Sequence, residues 1–166
     1  MRAAYLSLDR PDIQFATKEL GRAMDKPTTA DWLRLKRLAR YLKGHPRLVW
    51  KYFDQESVSH FDQSTDTNDG GCEKTRKSTS SGCLMHGTHC IKTYSSTQQV
   101  VSLSSGESEF YGIVKAGSAA IGARAMAADL GLELDAVLHT DASASKSMVS
   151  RKGFGKVKHI SRCYMW

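Results

Sequence analysis

VVSLSSGESEFYGIVKAGSAAIGARAMAADL, running from Val100 to Leu130, is the stretch whose reading decides the fold. Val100 to Leu103 is a short β-type run. From Ser104 to about Leu130 the apolar residues return at helical spacing, until Gly131 supplies a residue suited to ending a helix. Within this helix Glu107, Phe110, Val114, Gly117 and Ile121 are offset by 0, 3, 7, 10 and 14 residues, which at about 100° per residue keeps them on one stripe. The stripe predicts that Glu107 points to the core side and that Glu109, roughly 200° further round, faces away. Ser104 and Glu107 also have the S-x-x-E spacing of a capping box, in which the glutamate would tie down the helix start instead.

Before the helix, Val58 to Thr65, Gly82 to His86, His89 to Tyr94 and Val100 to Leu103 read as strands, with Gly87-Thr88 as the tight turn of a hairpin. After it, Ala136 to Thr140 reads as a short buried strand and Ala142 to Ser150 as a helix closing at Gly153. Strands first, then helix, strand and helix, predict an α/β fold with a mixed sheet and helices packed on it. Two further helices are expected at the front. Pro11 suits a first turn, and Ile13, Ala16, Leu20 and Met24 repeat at helical spacing until the Lys26-Pro27 break. Thr28 or Thr29 caps the second, in which Leu35, Leu38, Ala39 and Leu42 form the buried stripe and Gly44 marks the end.

Three carboxylates fall at matching places in this scheme: Asp66 after the first strand, Glu107 at the helix start and Asp141 at the end of the Ala136–Thr140 strand. Each alone is an ordinary turn former or cap. Brought together, they would repel one another strongly, and a hard divalent cation is the usual remedy. Two magnesium ions about 4 Å apart, with manganese as the other candidate, would activate a water and stabilise the leaving oxygen of a phosphodiester. Asp66, Glu107 and Asp141 are accordingly the predicted catalytic residues and metal ligands.

Composition narrows the partners. The 24 Lys and Arg against 17 Asp and Glu give a net charge of +7, and Met1 to Trp50 hold 11 of the basic residues against 5 acidic ones. A polyanionic partner fits that balance. Arg34, Lys36, Arg37, Arg40 and Lys43 lie on the polar side of the second helix, either as a solvated face or as a phosphate-tracking one. No stretch approaches the roughly 20 apolar residues of a membrane span, and the start lacks a signal peptide, so a soluble intracellular protein is expected, in a cytoplasmic particle or the nucleus. Cys72, Cys83, Cys90 and Cys163 form no C-x-x-C pair, which favours free thiols. Cys83, His86, His89 and Cys90 invite a zinc reading, but strand alternation is expected to send Cys83 and the others to different faces.

At this point the wording of the motifs is recognisable. The chain resembles the Pol polyprotein of copia-type LTR retrotransposons, from the connection after the reverse transcriptase through most of the RNase H domain. YLSLDRPDIQFATKELGRAMDKPTTADWLRLKRLARYLKG is similar to that family's run with R-P-D-I and R-Y-L-K-G, and STDTNDGGCEKTRKSTSSGCLMHG to its S-D-x-D-W-A-G and R-K-S-T-S-G. VVSLSSGESEFYGI resembles V-A-L-S-S-T-E-A-E-Y, HTDASASKSM the D-N-x-x-A segment, and KVKHISRCYMW the T-K-H-I-D region. The resemblance implies a ribonuclease H-like mixed sheet over residues 51–166, preceded by a helical tail of the reverse transcriptase over residues 1–50. It implies magnesium-dependent hydrolysis of the RNA strand of RNA–DNA hybrids at Asp66, Glu107 and Asp141. Arg34, Arg37 and Arg40, with Lys74, Arg76, Lys77 and Ser78 of the R-K-S-T segment, are the expected nucleic-acid contacts. The rest of the Pol polyprotein is the other expected partner.

Departures from the family pattern stand beside these matches. Asp69 takes the place of the tryptophan in D-W-A-G, Asn68 that of the preceding aspartate, and Ala142 that of the asparagine after the third acid. Ser161 replaces the aspartate of K-H-I-D. The family's last strand and helix, and a fourth aspartate in an A-D-x-L-T-K segment, are not found before Trp166, so a sheet lacking its C-terminal strand is expected. No Y-x-D-D segment is present, which excludes polymerisation by this chain alone. The alternative to a ribonuclease is a non-catalytic remnant that binds nucleic acid through its basic helix and R-K-S-T segment.

Overall fold

The computed structural model describes residues 2–150, so Gly153, Ser161, Cys163 and the KVKHISRCYMW stretch lie outside the described residues. Within them the order is α1 (Arg2–Asp9), α2 (Pro11–Arg22), α3 (Thr29–Gly44), β1 (His60–Asn68), β2 (Thr79–His86), β3 (His89–Thr97), α4 (Ser105–Asp129), β4 (Asp135–His139) and α5 (Ser143–Ser150). The four strands form one mixed sheet in the order β3-β2-β1-β4. β1 runs antiparallel to β2 and parallel to β4, with Asp62 beside Val137 and Ser64 beside His139.

β1, β2 and β3 are longer than the sequence suggests, whereas β4 keeps the expected length and is shifted by one residue. On β1 the residues turned inward are Phe61, Gln63, Thr65 and Thr67, so the buried face reads as mostly polar and hydropathy alternation is weak. Hydrogen bonds replace apolar contacts there. Thr67 Oγ1 donates to Ser80 Oγ (3.3 Å), Thr65 Oγ1 to the Ser81 carbonyl (3.0 Å), and Gln98 Nε2 to Ser80 Oγ (2.9 Å) and the Ser108 carbonyl (2.7 Å). A buried hydroxyl satisfied in this way avoids most of its desolvation cost, whereas Gln63 Oε1 and Gln98 Oε1 are buried with no hydrogen-bond partner among the described residues. β1 therefore runs on to Asn68, with Asp66 inside it, and β2 begins at Thr79. Gly87, at φ +60°, makes the hairpin turn to β3.

Val100 to Leu103 is not a strand. β3 ends at Thr97, and the segment instead packs Val100 against Phe110 and Tyr111 and gives the Leu103 N–H to Glu107. α4 then spans the sheet, where Ala123 and Ala127 pack with Phe61 and Leu84.

The front of the chain forms three helices. α1 was not expected, and it buries no residue of its own. Thr28 and Asp31 form a reciprocal capping box at the start of α3. Of the expected stripe on α3 only Leu38 is buried, and Leu35 is 42% exposed. α2 lies on β3, with Gln14 Nε2 donating to Thr93 Oγ1 (2.9 Å), and reaches the start of β2 through Lys18 Nζ, which donates to Thr79 Oγ1 (2.7 Å). Arg10 and Tyr41 both donate to Asp12, joining α2 to the end of α3, and the Arg10 bond leads in pulling the Asp12 carboxyl down to about 2. No helix among the described residues is long and apolar enough to cross a membrane.

Candidate metal centre

Asp66 comes from the middle of the sheet on β1, Glu109 from the first turns of α4, and Asp141 from just past the end of β4. One carboxylate oxygen from each lies within 4.8 Å of the other two. The glutamate is Glu109, not Glu107 as the helical stripe suggested. The reason lies in which face of α4 meets the sheet. Ala116, Ala120, Ala123 and Ala127 are buried, whereas Ile121 is 48% exposed. Offsets of 7, 11, 14 and 18 residues from Glu109 to these alanines are close to whole turns of an α-helix. A stripe of small residues packs on the strands and carries Glu109 with it, and reading that stripe as the contact face is the signal that would have found Glu109.

Gly112 allows the approach. A Cβ at that position would lie 2.4 Å from Thr67 Oγ1, closer than side chains tolerate. The helix thereby brings Glu109 close to the Thr67 backbone. Burial, followed by the charges of Asp66 and Asp141, raises the Glu109 pKa, and the Thr67 backbone opposes this. Its Oε2 is buried with no hydrogen-bond partner among the described residues. A buried carboxylate oxygen without a partner, on a side chain that meets two other carboxylates, is a costly arrangement unless a cation completes it.

Glu107 has other work. It is 3% exposed; its carboxylate accepts from the Leu103 N–H (2.9 Å) and from the Tyr111 hydroxyl (2.7 Å), and its own N–H donates to Ser104 Oγ (3.2 Å). These bonds satisfy backbone groups at the start of α4; the Ser104 half of the capping box forms, while the glutamate takes the Leu103 N–H in place of that of Ser104.

Asp66 and Asp141 border an open cleft of about 370 Å³ that Leu138, His139, Thr140 and Lys146 also line. Lys146 brings a positive charge to this rim. Beside it, Asp69 accepts from Ser102 Oγ (3.2 Å) and from Ser78 Oγ (3.5 Å), so the carboxylate in the tryptophan position braces the loop. Ser78 is fully buried and receives the Gly70 N–H, and so supports the loop from beneath. Lys74 and Arg76 are exposed on that loop, with Arg76 at φ +56°, and Lys77 is half-buried. Arg34, Arg37 and Arg40 are exposed on α3, Arg34 bonded to Asp31 (2.9 Å).

The cysteine cluster also differs from expectation. Cys83 and Cys90 share a face, their sulfurs 3.5 Å apart. His86 contacts the Val58 carbonyl (3.1 Å) and His89 the Phe53 carbonyl (2.7 Å), and the two cysteines and two histidines do not gather into one metal-binding cluster among the described residues.

Taken together these features define an α/β chain with a three-carboxylate centre at a sheet-and-helix junction. It is 29% identical over 168 aligned positions to the retrovirus-related Pol polyprotein from transposon RE2 of Arabidopsis thaliana, an alignment covering 96% of this chain and 11% of the relative. With the corresponding polyprotein from transposon RE1 of Arabidopsis thaliana the identity is 28%, at 96% and 11% coverage. An uncharacterized mitochondrial protein of the same plant, AtMg00810, is 37% identical over 106 residues, covering 64% of this chain and 44% of the relative. The chain is thus distantly related to the copia-type Pol polyproteins over nearly its whole length, and it spans about a tenth of theirs. No family model and no solved structure matches it.

Proposed function

We propose that the chain carries a ribonuclease H-type centre, in which Asp66, Glu109 and Asp141 hold magnesium for hydrolysis of the RNA strand of RNA–DNA hybrids within a Pol polyprotein. One observation carries the reading above the rest: three carboxylates from separate segments converge within 4.8 Å, with Glu109 Oε2 buried and unbonded. The donor set, all oxygen and all anionic, fits a hard divalent ion. Such an ion would neutralise charge on a phosphodiester and favour ionisation of an attacking water. The residues themselves do the positioning. Asp66 and Asp141 sit exposed at the rim, Glu109 lies half-buried beneath them, and Lys146 offers a cation to a phosphate in the cleft. The order β3-β2-β1-β4, with β1 and β4 parallel and α4 between β3 and β4 in the chain, also supports the nuclease reading. In this assignment residues 1–50 are the tail of the polymerase connection and residues 51–166 the nuclease domain.

The test is magnesium titration of the purified 166-residue chain, with melting temperature and cleavage of a labelled hybrid read together. At about 100 times the dissociation constant, binding stabilises by about 2.7 kcal/mol, which is roughly 5–10 °C for a chain of this size. The rise should depend on pH in a defined direction. The Glu109 carboxyl titrates above its ordinary value, so protons compete with the cation from that higher pH downward. The increment is full above the raised pKa and is lost as pH falls through it. A magnesium-independent melting temperature, together with intact hybrid, would leave the centre without its cation.

Reversing Arg34, Arg37 and Arg40 to Glu should weaken binding to any duplex and flatten its salt dependence, because each phosphate contact releases about one counterion. An unchanged affinity and slope in a filter-binding series would make α3 a solvated face.

A further inference from the structure

We infer that Cys83, Met85 and Cys90 form a three-sulfur site for a soft monovalent cation, Cu(I), on the face of the sheet turned away from α4. The site is independent of the carboxylate centre. Leu84 packs with Ala123 and Ala127 of α4, so its neighbours Cys83 and Met85 alternate to the opposite face. Cys83 Sγ lies 3.5 Å from both Met85 Sδ and Cys90 Sγ. Cys90 reaches this place through an irregularity. The ladder pairs Leu84 with Lys92 and then Met85 with Cys90, leaving Ile91 as the extra residue. Such a bulge re-aims the side chains beside it.

Geometry favours a shared ion over a disulfide. Cys90 faces Met85 and Cys83 faces Thr93, so the two cysteines are diagonal neighbours. Diagonal partners in a ladder are about 7–8 Å apart at Cα, beyond the roughly 4.4–6.8 Å that a disulfide spans. Two sulfurs 3.5 Å apart can instead share one ion at about 2.3 Å from each. Softness selects the ion, because thiolate and thioether together suit Cu(I), whereas harder cations seek oxygen. Zinc would want further nitrogen or oxygen ligands, and among the described residues no group of three or more His, Cys, Asp or Glu includes Cys83 or Cys90.

Burial, and then the neighbouring Cys90, push the Cys83 thiol up to about 11. Cu(I) enters as the two cysteine protons leave, with no change of oxidation state. Affinity should therefore rise with pH.

The experiment is anaerobic titration of the full chain, in a Cys72→Ser/Cys163→Ser background, with Cu(I) buffered by a competing chelator. X-ray absorption at the copper edge counts the ligands. One equivalent should bind with three sulfurs at about 2.3 Å. Met85→Leu should weaken binding about tenfold, and Cys83→Ser or Cys90→Ser a hundredfold or more. Circular dichroism melts of each variant separate loss of a ligand from loss of the fold. Affinity that survives Cys83→Ser/Cys90→Ser in a folded chain, or that ignores Met85→Leu with only two sulfurs at the metal, overturns the assignment. So does rapid closure of a Cys83–Cys90 disulfide under hydrogen peroxide without backbone rearrangement, which would show the sulfurs already placed for a covalent bond.

Discussion

Glu109→Gln should lower magnesium-dependent cleavage of hybrid RNA by about a thousandfold, while Glu107→Gln leaves the chemistry largely in place. Both residues begin α4 and both are glutamates, so only their surroundings distinguish them. Glu109 stands with Asp66 and Asp141 and has an unbonded buried oxygen; removing its charge takes one of three anionic donors from the cation. A loss of about 4 kcal/mol of transition-state stabilisation is a thousandfold in rate. Asp66→Asn and Asp141→Asn should behave alike. Glu107 spends its carboxylate on Leu103 and Tyr111, so the amide weakens a cap and costs about 1 kcal/mol, or roughly 2–4 °C in melting temperature. Single-turnover cleavage at saturating magnesium, run beside thermal melts, reads both effects. Equal rates for the two variants, or a dead Glu107→Gln with an active Glu109→Gln, would return the site to the residue that helical periodicity picked out.

The contrast shows what the sequence displays and what it hides. α4 is legible almost to the residue, because a long apolar-periodic run with a serine cap and a following glycine has few other readings. Its orientation is not legible in the same way. Periodicity locates a face by its large apolar residues, and here Phe110 and Val114 pack with Tyr111, Val100 and Met148, while the sheet takes the alanines and Gly112. Asp141 is visible because it follows a strand end, Asp66 lies within β1 and not at its end, and the third carboxylate depends on a rotation of the helix that composition does not mark. β1 is obscured for a related reason. Gln63, Thr65 and Thr67 are its inward residues, so a hydrogen-bonded interior reads in sequence as a polar loop. The meeting of Cys83 and Cys90 depends on the bulge at Ile91, and a one-residue irregularity has no signature of its own.

Gly112→Ala should destabilise the chain and loosen the metal centre together, because Gly112 sets the distance between α4 and β1. The added Cβ would fall 2.4 Å from Thr67 Oγ1. Thr67 cannot simply turn aside: its hydroxyl is bonded to Ser80 in a buried layer, and rotation about a β-branched carbon moves the methyl group into the same space. The helix has to retreat instead, at an overpacking cost of about 1–3 kcal/mol, and carries Glu109 away from Asp66 as it goes. Gly122 supplies the control. It lies in the same helix with nothing within 4 Å of its added Cβ, so Gly122→Ala should stabilise by about 0.4–1 kcal/mol through helix propensity and a less free unfolded chain. Thr67→Ala in the Gly112→Ala background removes the clashing oxygen. The double variant should recover stability and magnesium response beyond the sum of the single changes, a coupling that only residues in contact show. Should Gly112→Ala melt with the parent chain and keep its full magnesium increment, the approach of α4 to β1 is not what gathers the three carboxylates.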